Sequence, residues 1–555
     1  MRILLHAKWL VFITLLINAA AMLTPVINAG DSVTYAALSQ HMVLHNDWIN
    51  LVLDGEDWLD KPHFPFWITA LFFKIGGISA FTYILPGFLF HLIGGYYTYR
   101  IARLFHNRVT AWIALLVYAS AYHLMYTSGE VKAETYLTGC IVAASYYWLR
   151  FDAVAKLKYL LLGALFTAMA VMTKGVFTLI TITSGLVCMW LYQKQWRKLL
   201  SAKWLGALLL SLLFTAPELI ALYLQFDAHP EKVLFGQTHV SGIKFFLWDS
   251  QFGRFFNTGP IQNHSGNPYY FVLAFLWAFL PWVAVFLAAL YTAVRNFWRV
   301  SVTERARIVY LCGAFFVTFA MFSATSFQID YYTVILYPFA AILCASYLAD
   351  RLATASKGKK LLIAQLALTI LLLTLTAGLS VYVANAMLIA AVLALCVALL
   401  AYGYVFRSQP KVSVVLFLPV LAINILYAYL VMMSAYAYTT YSIPYSVNKL
   451  LAGDAGMPIQ VYQMPMVARE LGLYNAAPCI DLTDELQLPP AGSHYLLVIR
   501  DAQLALLSDR LVDYNLRYRG LWVVHKTGVL PNLVRLAKGV GPLENISVVE
   551  VGGNR

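Results

Sequence analysis

The stretch Gly30–Trp67 reads GDSVTYAALSQHMVLHNDWINLVLDGEDWLDKPHFPFW. It holds Asp31, Asp47, Asp54, Glu56, Asp57 and Asp60, then Lys61 and Pro62. It follows directly on an apolar run, in a chain of 555 residues that is 61% hydrophobic and only 12% charged. Soluble domains carry about 25% charged residues. Six carboxylates at the edge of so apolar a run mark a place where lipid gives way to water, and the rest of the chain repeats that pattern.

Apolar runs near twenty residues recur along the sequence, each long enough to cross a bilayer as a helix. Only helices and closed barrels satisfy their backbone in lipid, and these runs are much longer than barrel strands. The expected fold is a polytopic α-helical membrane protein of about thirteen transmembrane helices with a small C-terminal α/β domain. The spans fall near 9–28, 80–101, 109–127, 134–150, 159–173, 175–192, 204–224, 268–293, 307–325, 331–349, 361–381, 384–406 and 411–432. The segment Met1–Gly30 also has the outline of a cleaved signal peptide, but its apolar part is longer than usual and reads as a retained first helix.

The net charge of +13 does not indicate nucleic acid, because the basic residues sit in short clusters between apolar runs. With the N-terminus in the cytoplasm, the inner loops hold clusters such as Arg100, Arg103 and Arg108, Lys194, Arg197, Lys198 and Lys203, and Arg295, Arg299, Arg305 and Arg307. That is the positive-inside pattern. It makes 31–79 and 225–267 large periplasmic loops of a membrane domain spanning 1–432. After residue 433, GMPIQVYQM, HYLLVIRD and GLWVVHKTG read as strands, and MVARELGLY and AQLALLSDRLVDY as helices, giving a periplasmic α/β domain over 433–555. The six cysteines are scattered without a CxxC, so neither a disulfide framework nor a zinc cluster is indicated.

Acids before residue 433 gather on the outer side, where a polar active site would lie. Asp31 opens a segment with helical spacing of apolar residues, Tyr35, Leu38 and Met42, and its position suits either a helix cap or a catalytic group. Lys61, between Asp60 and Pro62, suits a phosphate as a point charge, or else anchors the loop at the interface. Glu130, Lys132, Glu134 and Lys174 stand at outer helix ends, where ionisable groups mark function or ordinary anchoring. His264, in RFFNTGPIQNHSGNPYYF, could join a carboxylate in holding a divalent metal. The sequence has no HExxH, Walker loop, GxSxG or GxGxxG.

Taken in order, these residues resemble the polyprenyl-phosphate-sugar-dependent glycosyltransferases of the glycosyltransferase-C fold. The resemblance is greatest to the bacterial branch containing the lipid A aminoarabinose transferase and relatives of protein O-mannosyltransferases. Asp31 with Tyr35, Asp60-Lys61-Pro62 with Trp67, Glu134, Thr173-Lys174-Gly175, and His264, Pro268, Tyr269, Tyr270, Pro281 and Trp282 carry it. The departures are Gly-Asp for Asp-Glu, Lys-Pro-His for Lys-Pro-Pro, Glu134 for Asp, and Gln328 and Asp330 where a Lys precedes a Tyr, with Tyr332 standing in.

The resemblance implies an inverting transfer of a sugar from a polyprenyl-phosphate donor to a lipid or glycan acceptor, lipid A included, at the periplasmic face of a bacterial inner membrane. Asp31 and Glu134 are the implied catalytic acids. Lys61, Lys174, Arg254 and Tyr332 are the implied contacts of the donor phosphate, and Asp60 with His264 the implied ligands of a divalent metal of unnamed identity. A lipid-linked sugar flippase is the alternative, though transporters usually show two related halves, which this sequence lacks.

Overall fold

The computed structural model describes residues 2–25, 27, 30–262, 267–353, 359–405, 412–443, 445, 447, 457–474, 479–484, 487–490, 492–509, 511, 513–523, 530–541 and 543–552. Helices occupy the apolar runs: α1 (Arg2–Ala19), α4 (Ala80–Phe105), α5 (Arg108–Ala119), α6 (Tyr122–Glu130), α7 (Ala133–Val154), α8 (Leu157–Lys174) and α9 (Thr178–Tyr192). Between α1 and α4 lie α2 (Asp31–Leu44), the small hairpin β1 (Val52–Leu53) and β2 (Glu56–Asp57), and α3 (Phe64–Gly76). The chain is a multi-pass membrane protein. Among the described residues six helices are long and apolar enough to cross a membrane, and up to nine if each of three bent helix pairs is one span.

Sharp bends interrupt two of the expected runs. The run expected as 109–127 breaks between α5 and α6 by 57°, and that expected as 268–293 turns by 114° between Tyr270–Ala278 and Val283–Arg295. Pro281 has no N–H to continue the ladder there. In both places a hydropathy window sees one apolar segment where the backbone makes two helices.

The centre of the bundle is α4 packed against α5 and α7, with Tyr337–Ala353 closing it. Helices in lipid gain little from burial against one another and associate through close packing at small residues. Gly139 on α7 is such a point: a Cβ added there would lie 2.6 Å from the Phe90 carbonyl oxygen of α4.

The last apolar helix, Leu418–Tyr441, runs past the expected boundary at 432. Its final turns carry Tyr436, Tyr438 and Tyr441, rings suited to the membrane–water interface. Beyond it a five-stranded sheet forms from β3 (Ile459–Tyr462), β4 (Cys479–Leu482), β5 (Tyr495–Arg500), β6 (Tyr514–Val523) and β7 (Leu543–Val551), in the order β4-β3-β5-β7-β6. β3 pairs in parallel with β4 and β5, while β7 runs antiparallel to β5 and β6. The helix expected over 502–514 ends at Leu507, and Tyr514 already begins β6.

This sheet unit docks on the first loop. The Arg469 guanidinium, on the helix Pro465–Tyr474, pairs with Asp54 and reaches Thr34 Oγ1 at 3.2 Å, and Gln40 Nε2 donates to the Gly472 carbonyl at 2.7 Å. Helix α2 is therefore held between the bundle and the C-terminal sheet.

Gly139→Val should push α4 and α7 apart. Overpacking of this kind typically costs about 1–3 kcal/mol, so the variant should melt at a lower temperature in detergent, while Gly206→Ala, where an added Cβ meets nothing within 4 Å, should not.

Candidate active site

The residues singled out in the sequence lie far apart along the chain and meet at one end of the bundle. Helix α2 begins at Asp31, with Gly30 (φ +77°) as the preceding turn residue. No side chain caps this helix. The Asp31 carboxylate is instead aimed across the site, where Oδ2 accepts a hydrogen bond from the Tyr331 hydroxyl at 3.1 Å. The capping role that position alone allowed is not the one seen.

The turn before α3 brings Asp60 and Lys61. Lys61 Nζ lies 2.7 Å from Asp60 Oδ2, and the Arg254 guanidinium pairs with Asp60 Oδ1. Arg254 also donates to the Asp60 carbonyl at 3.1 Å. It rides on the short helix Ser250–Phe256. Gly175, at φ +105°, ends α8 and lets that helix approach: a Cβ there would meet the Gln251 side chain at 2.2 Å. Thus Thr173-Lys174-Gly175 delivers a cation and also opens the space for a second one.

Lys174 is buried and paired with Glu134 at the start of α7, and its Nζ sits 3.6 Å from the centre of the Tyr332 ring. Glu134, expected as a catalytic acid, is committed here to holding this ammonium. Lys61, Lys174 and Arg254 are therefore three cations among Asp31, Asp60 and Glu134. Burial, then the nearby Arg254 charge, lowers the pKa of Lys61 below that of a free lysine. Burial alone would raise that of Asp60, but Lys61 and Arg254 outweigh it and hold the carboxyl below the usual carboxylate range. The Arg254 Nε hydrogen is buried without a partner.

A cavity of about 90 Å³ opens beside two of these cations, Lys174 and Arg254, and Tyr332, Phe177, Met321 and Phe322 are also in its lining. Cationic donors set among apolar rings suit an anion carried on a hydrocarbon tail.

The Lys-Pro-His departure has a structural reason. His63 is fully buried: Nδ1 faces Glu218 Oε1 at 3.0 Å, Nε2 faces the Ile49 carbonyl at 2.9 Å, and its backbone N–H donates to Glu218 Oε2 at 3.0 Å. Both ring nitrogens face acceptors, an arrangement that favours the doubly protonated ring. Burial disfavours that charge, but Glu218 more than offsets it and the His63 pKa is raised. The pair fixes the turn that presents Lys61.

A metal at Asp60 does not fit what is seen. Both of its carboxylate oxygens are taken by cations, and a third, Lys174, acts on it from nearby. No group of three or more His, Cys, Asp or Glu able to hold a metal occurs among the described residues. His264 lies outside the described residues.

The sequence reading missed Tyr331, Glu218 and the tie between Tyr331 and Lys132, whose Nζ lies 5.3 Å from that ring. Glu218 had a signal: a lone carboxylate inside an apolar run. Tyr331 had none beyond its place next to Tyr332.

Residues 60–220 match the family profile described as dolichyl-phosphate-mannose-protein mannosyltransferase. Over that segment the chain is similar to this family of membrane mannosyltransferases. Among the curated relatives, the undecaprenyl phosphate-α-4-amino-4-deoxy-L-arabinose arabinosyl transferase 2 of Proteus mirabilis is 27% identical over 327 residues, 58% of this chain and 55% of that protein. The corresponding transferase of Pseudomonas aeruginosa strain UCBPP-PA14 is 28% identical over 322 residues, 56% and 54%. This chain thus spans a little over half the length of the relatives it matches. The crystal structure of ArnT from Cupriavidus metallidurans bound to undecaprenyl phosphate superimposes with a TM-score of 0.71, at 17% identity, over 98% of this chain and 97% of that one. The C-terminal sheet is thus part of the shared fold.

Removing one partner of a buried ion pair typically costs about 3–5 kcal/mol, because the other charge is left without compensation. Glu134→Gln should therefore lower the melting temperature markedly. Adding Lys174→Met to it should restore most of the loss, which a thermal unfolding series on the two variants would test.

Proposed function

We propose that the chain is an inverting glycosyltransferase that moves a sugar from a polyprenyl-phosphate donor to an envelope acceptor, with lipid A among the candidates. The observation that carries this reading is an apolar-walled cavity lined by Lys174 and Arg254, with Lys61 held on the same Asp60 carboxylate as Arg254 and Asp31 close to both lysines. The names of the arabinosyl transferase relatives and the undecaprenyl phosphate bound by ArnT support transfer rather than flipping.

In this mechanism the donor phosphate sits against Lys61, Arg254 and Lys174, its polyprenyl tail along Phe177 and Phe322. An acceptor hydroxyl oxygen attacks the anomeric carbon from the side away from the phosphate, and its proton passes to Asp31. The bond from that carbon to the phosphate oxygen breaks, and its electron pair leaves with the polyprenyl phosphate. Attack and departure on opposite faces invert the carbon. Cations placed in advance in a site shielded from water stabilise the growing phosphate charge at little cost in reorganisation. Tyr331 orients Asp31, Glu134 holds Lys174, and His63 with Glu218 holds the Lys61 turn.

The site belongs to the periplasmic side of a bacterial inner membrane in this reading, with the N-terminus in the cytoplasm. The basic inner loops support that orientation. The contact of Arg469 and Gly472 with the first loop supports a C-terminal unit, 433–555 in the sequence division, on the same side as Asp31. About thirteen crossings fit it.

A reporter joined to the C-terminus and active only in the cytoplasm should stay silent, and activity there would reverse the orientation. Asp31→Asn should keep its fold and its affinity for donor lipid, since the amide has nearly the shape of the carboxylate. It cannot take the acceptor proton, so turnover by purified protein in detergent, where transport is impossible, should fall by about 10²–10⁴-fold. Turnover within a few-fold of the parent would remove Asp31 from the mechanism.

A further inference from the structure

The end of the bundle away from Asp31 carries a second group of cations, held by different partners. Glu134 and Arg150 stand sixteen residues apart on α7, and Lys158 and Lys174 sixteen apart on α8. At about 1.5 Å per residue, each pair is separated by about 24 Å along its helix, close to the thickness of the hydrocarbon core of a bilayer. Arg100, in the last turns of α4, reaches across to α7: its guanidinium donates to the hydroxyls of Tyr96 and Tyr146. Arg150, one turn beyond Tyr146, donates to the Tyr159 hydroxyl at 3.1 Å, and Lys158 Nζ lies 5.1 Å from the centre of that ring. Tyr147 joins the two halves, with ring centres 5.3 Å from Tyr146 and 6.3 Å from Tyr159.

At the catalytic end Lys61, Lys174 and Arg254 each meet a carboxylate; here the sequence withholds carboxylates. No Asp or Glu occurs between Asp60 and Glu130, and between Glu134 and Glu218 only Asp152 does. Lys198 Nζ takes that one, at 2.8 Å. Among the described residues neither Arg100 nor Arg150 pairs with a carboxylate, and the Arg150 Nε hydrogen is buried without a partner. A neutral tyrosine hydroxyl orients a guanidinium but leaves its charge whole. Two half-buried guanidiniums are thus fixed in place with their charge uncancelled.

A planar guanidinium fork matches the oxygens of a phosphate, and Lys158 adds an exposed point charge. Below them Leu157, Leu161 and Leu165 recur every fourth residue along α8 and are all exposed. Such spacing keeps them on one face, so hydrocarbon would lie against leucine while its phosphate meets the cations. A soluble anion would use the cations and leave that stripe bare.

We propose that Arg100, Arg150 and Lys158 form a binding site for the phosphodiester of an anionic glycerophospholipid, in the leaflet opposite the one that borders Asp31. A lipid bound there ties α4, α7 and α8 together at the end farthest from the Glu134–Lys174 pair.

The test uses the full chain in detergent with dioleoyl phosphatidylglycerol and dioleoyl phosphatidylcholine as probes, and native mass spectrometry to count bound lipid. Phosphatidylglycerol should bind about tenfold more tightly, because each cation near a phosphate adds a several-fold preference for the anionic head. The double variant Arg100→Gln/Arg150→Gln should reduce that preference to about twofold, and the exposed Lys158→Gln, which leaves the tyrosine-held core intact, should lower it about threefold. Arg299→Gln, which removes an exposed cation from the turn Phe297–Arg299, should leave it unchanged. Equal binding of the two lipids by the parent would overturn the proposal. So would a preference that survives both cluster variants, or one that Arg299→Gln abolishes, which would mark a diffuse effect of basic charge. Displacement of phosphatidylglycerol by millimolar inorganic phosphate would overturn it as well, since the site would then read a free anion and not a lipid. The parent comparison and Lys158→Gln decide the matter even if the double variant does not fold.

Discussion

Three cations close to one another repel, and withdrawing them wholly or mostly from water costs energy as well. Lys61, Lys174 and Arg254 remain together because carboxylates are set between them: Asp60 grips Lys61 and Arg254, and Glu134 grips Lys174. Nearly everything else at this end of the bundle follows from keeping that arrangement. α7 must begin at the level where α8 ends to pair Glu134 with Lys174. Gly175 must end α8 without a side chain so that the helix bearing Arg254 can close over it. The Asp60–Lys61 turn must not drift, and His63 with Glu218 pins it from the far side. The charges are balanced but not sealed, since a cavity and the free Arg254 Nε hydrogen remain on one side.

Much of this was legible in the sequence, for a physical reason. Ionisable residues in an apolar chain are costly, so those that persist at helix ends have work to do there. Asp31, Glu134 and Lys174 stand out in the chain on that ground, Lys61 stands out between Asp60 and Pro62, Arg254 entered only through the resemblance, and the fold gathers them. The partners were not legible. Tyr331 stands 300 positions from Asp31, and Glu218 stands 155 from His63. Nothing in local spacing records such a pairing, although the Lys-Pro-His departure was a trace of it.

The same limit applies to architecture. Apolar length showed where helices would be, but averages along a window conceal turns such as that at Pro281. In the C-terminal unit the strands read as GMPIQVYQM and HYLLVIRD became β3 and β5, yet the strand between β5 and β6 in the sheet is β7, from the very end of the chain. Its neighbours are set by long-range pairing, not by its own residues.

The salt link from Arg469 to Asp54, with the contact to Thr34, bears on how the protein is made. Thr34 is one turn along the helix that Asp31 begins, yet its tether is supplied more than four hundred residues later. During synthesis the helix carrying the first acid is therefore produced early and secured late. Until the C-terminal sheet has formed, a lipid entering the half-built bundle meets an acid without its outer brace.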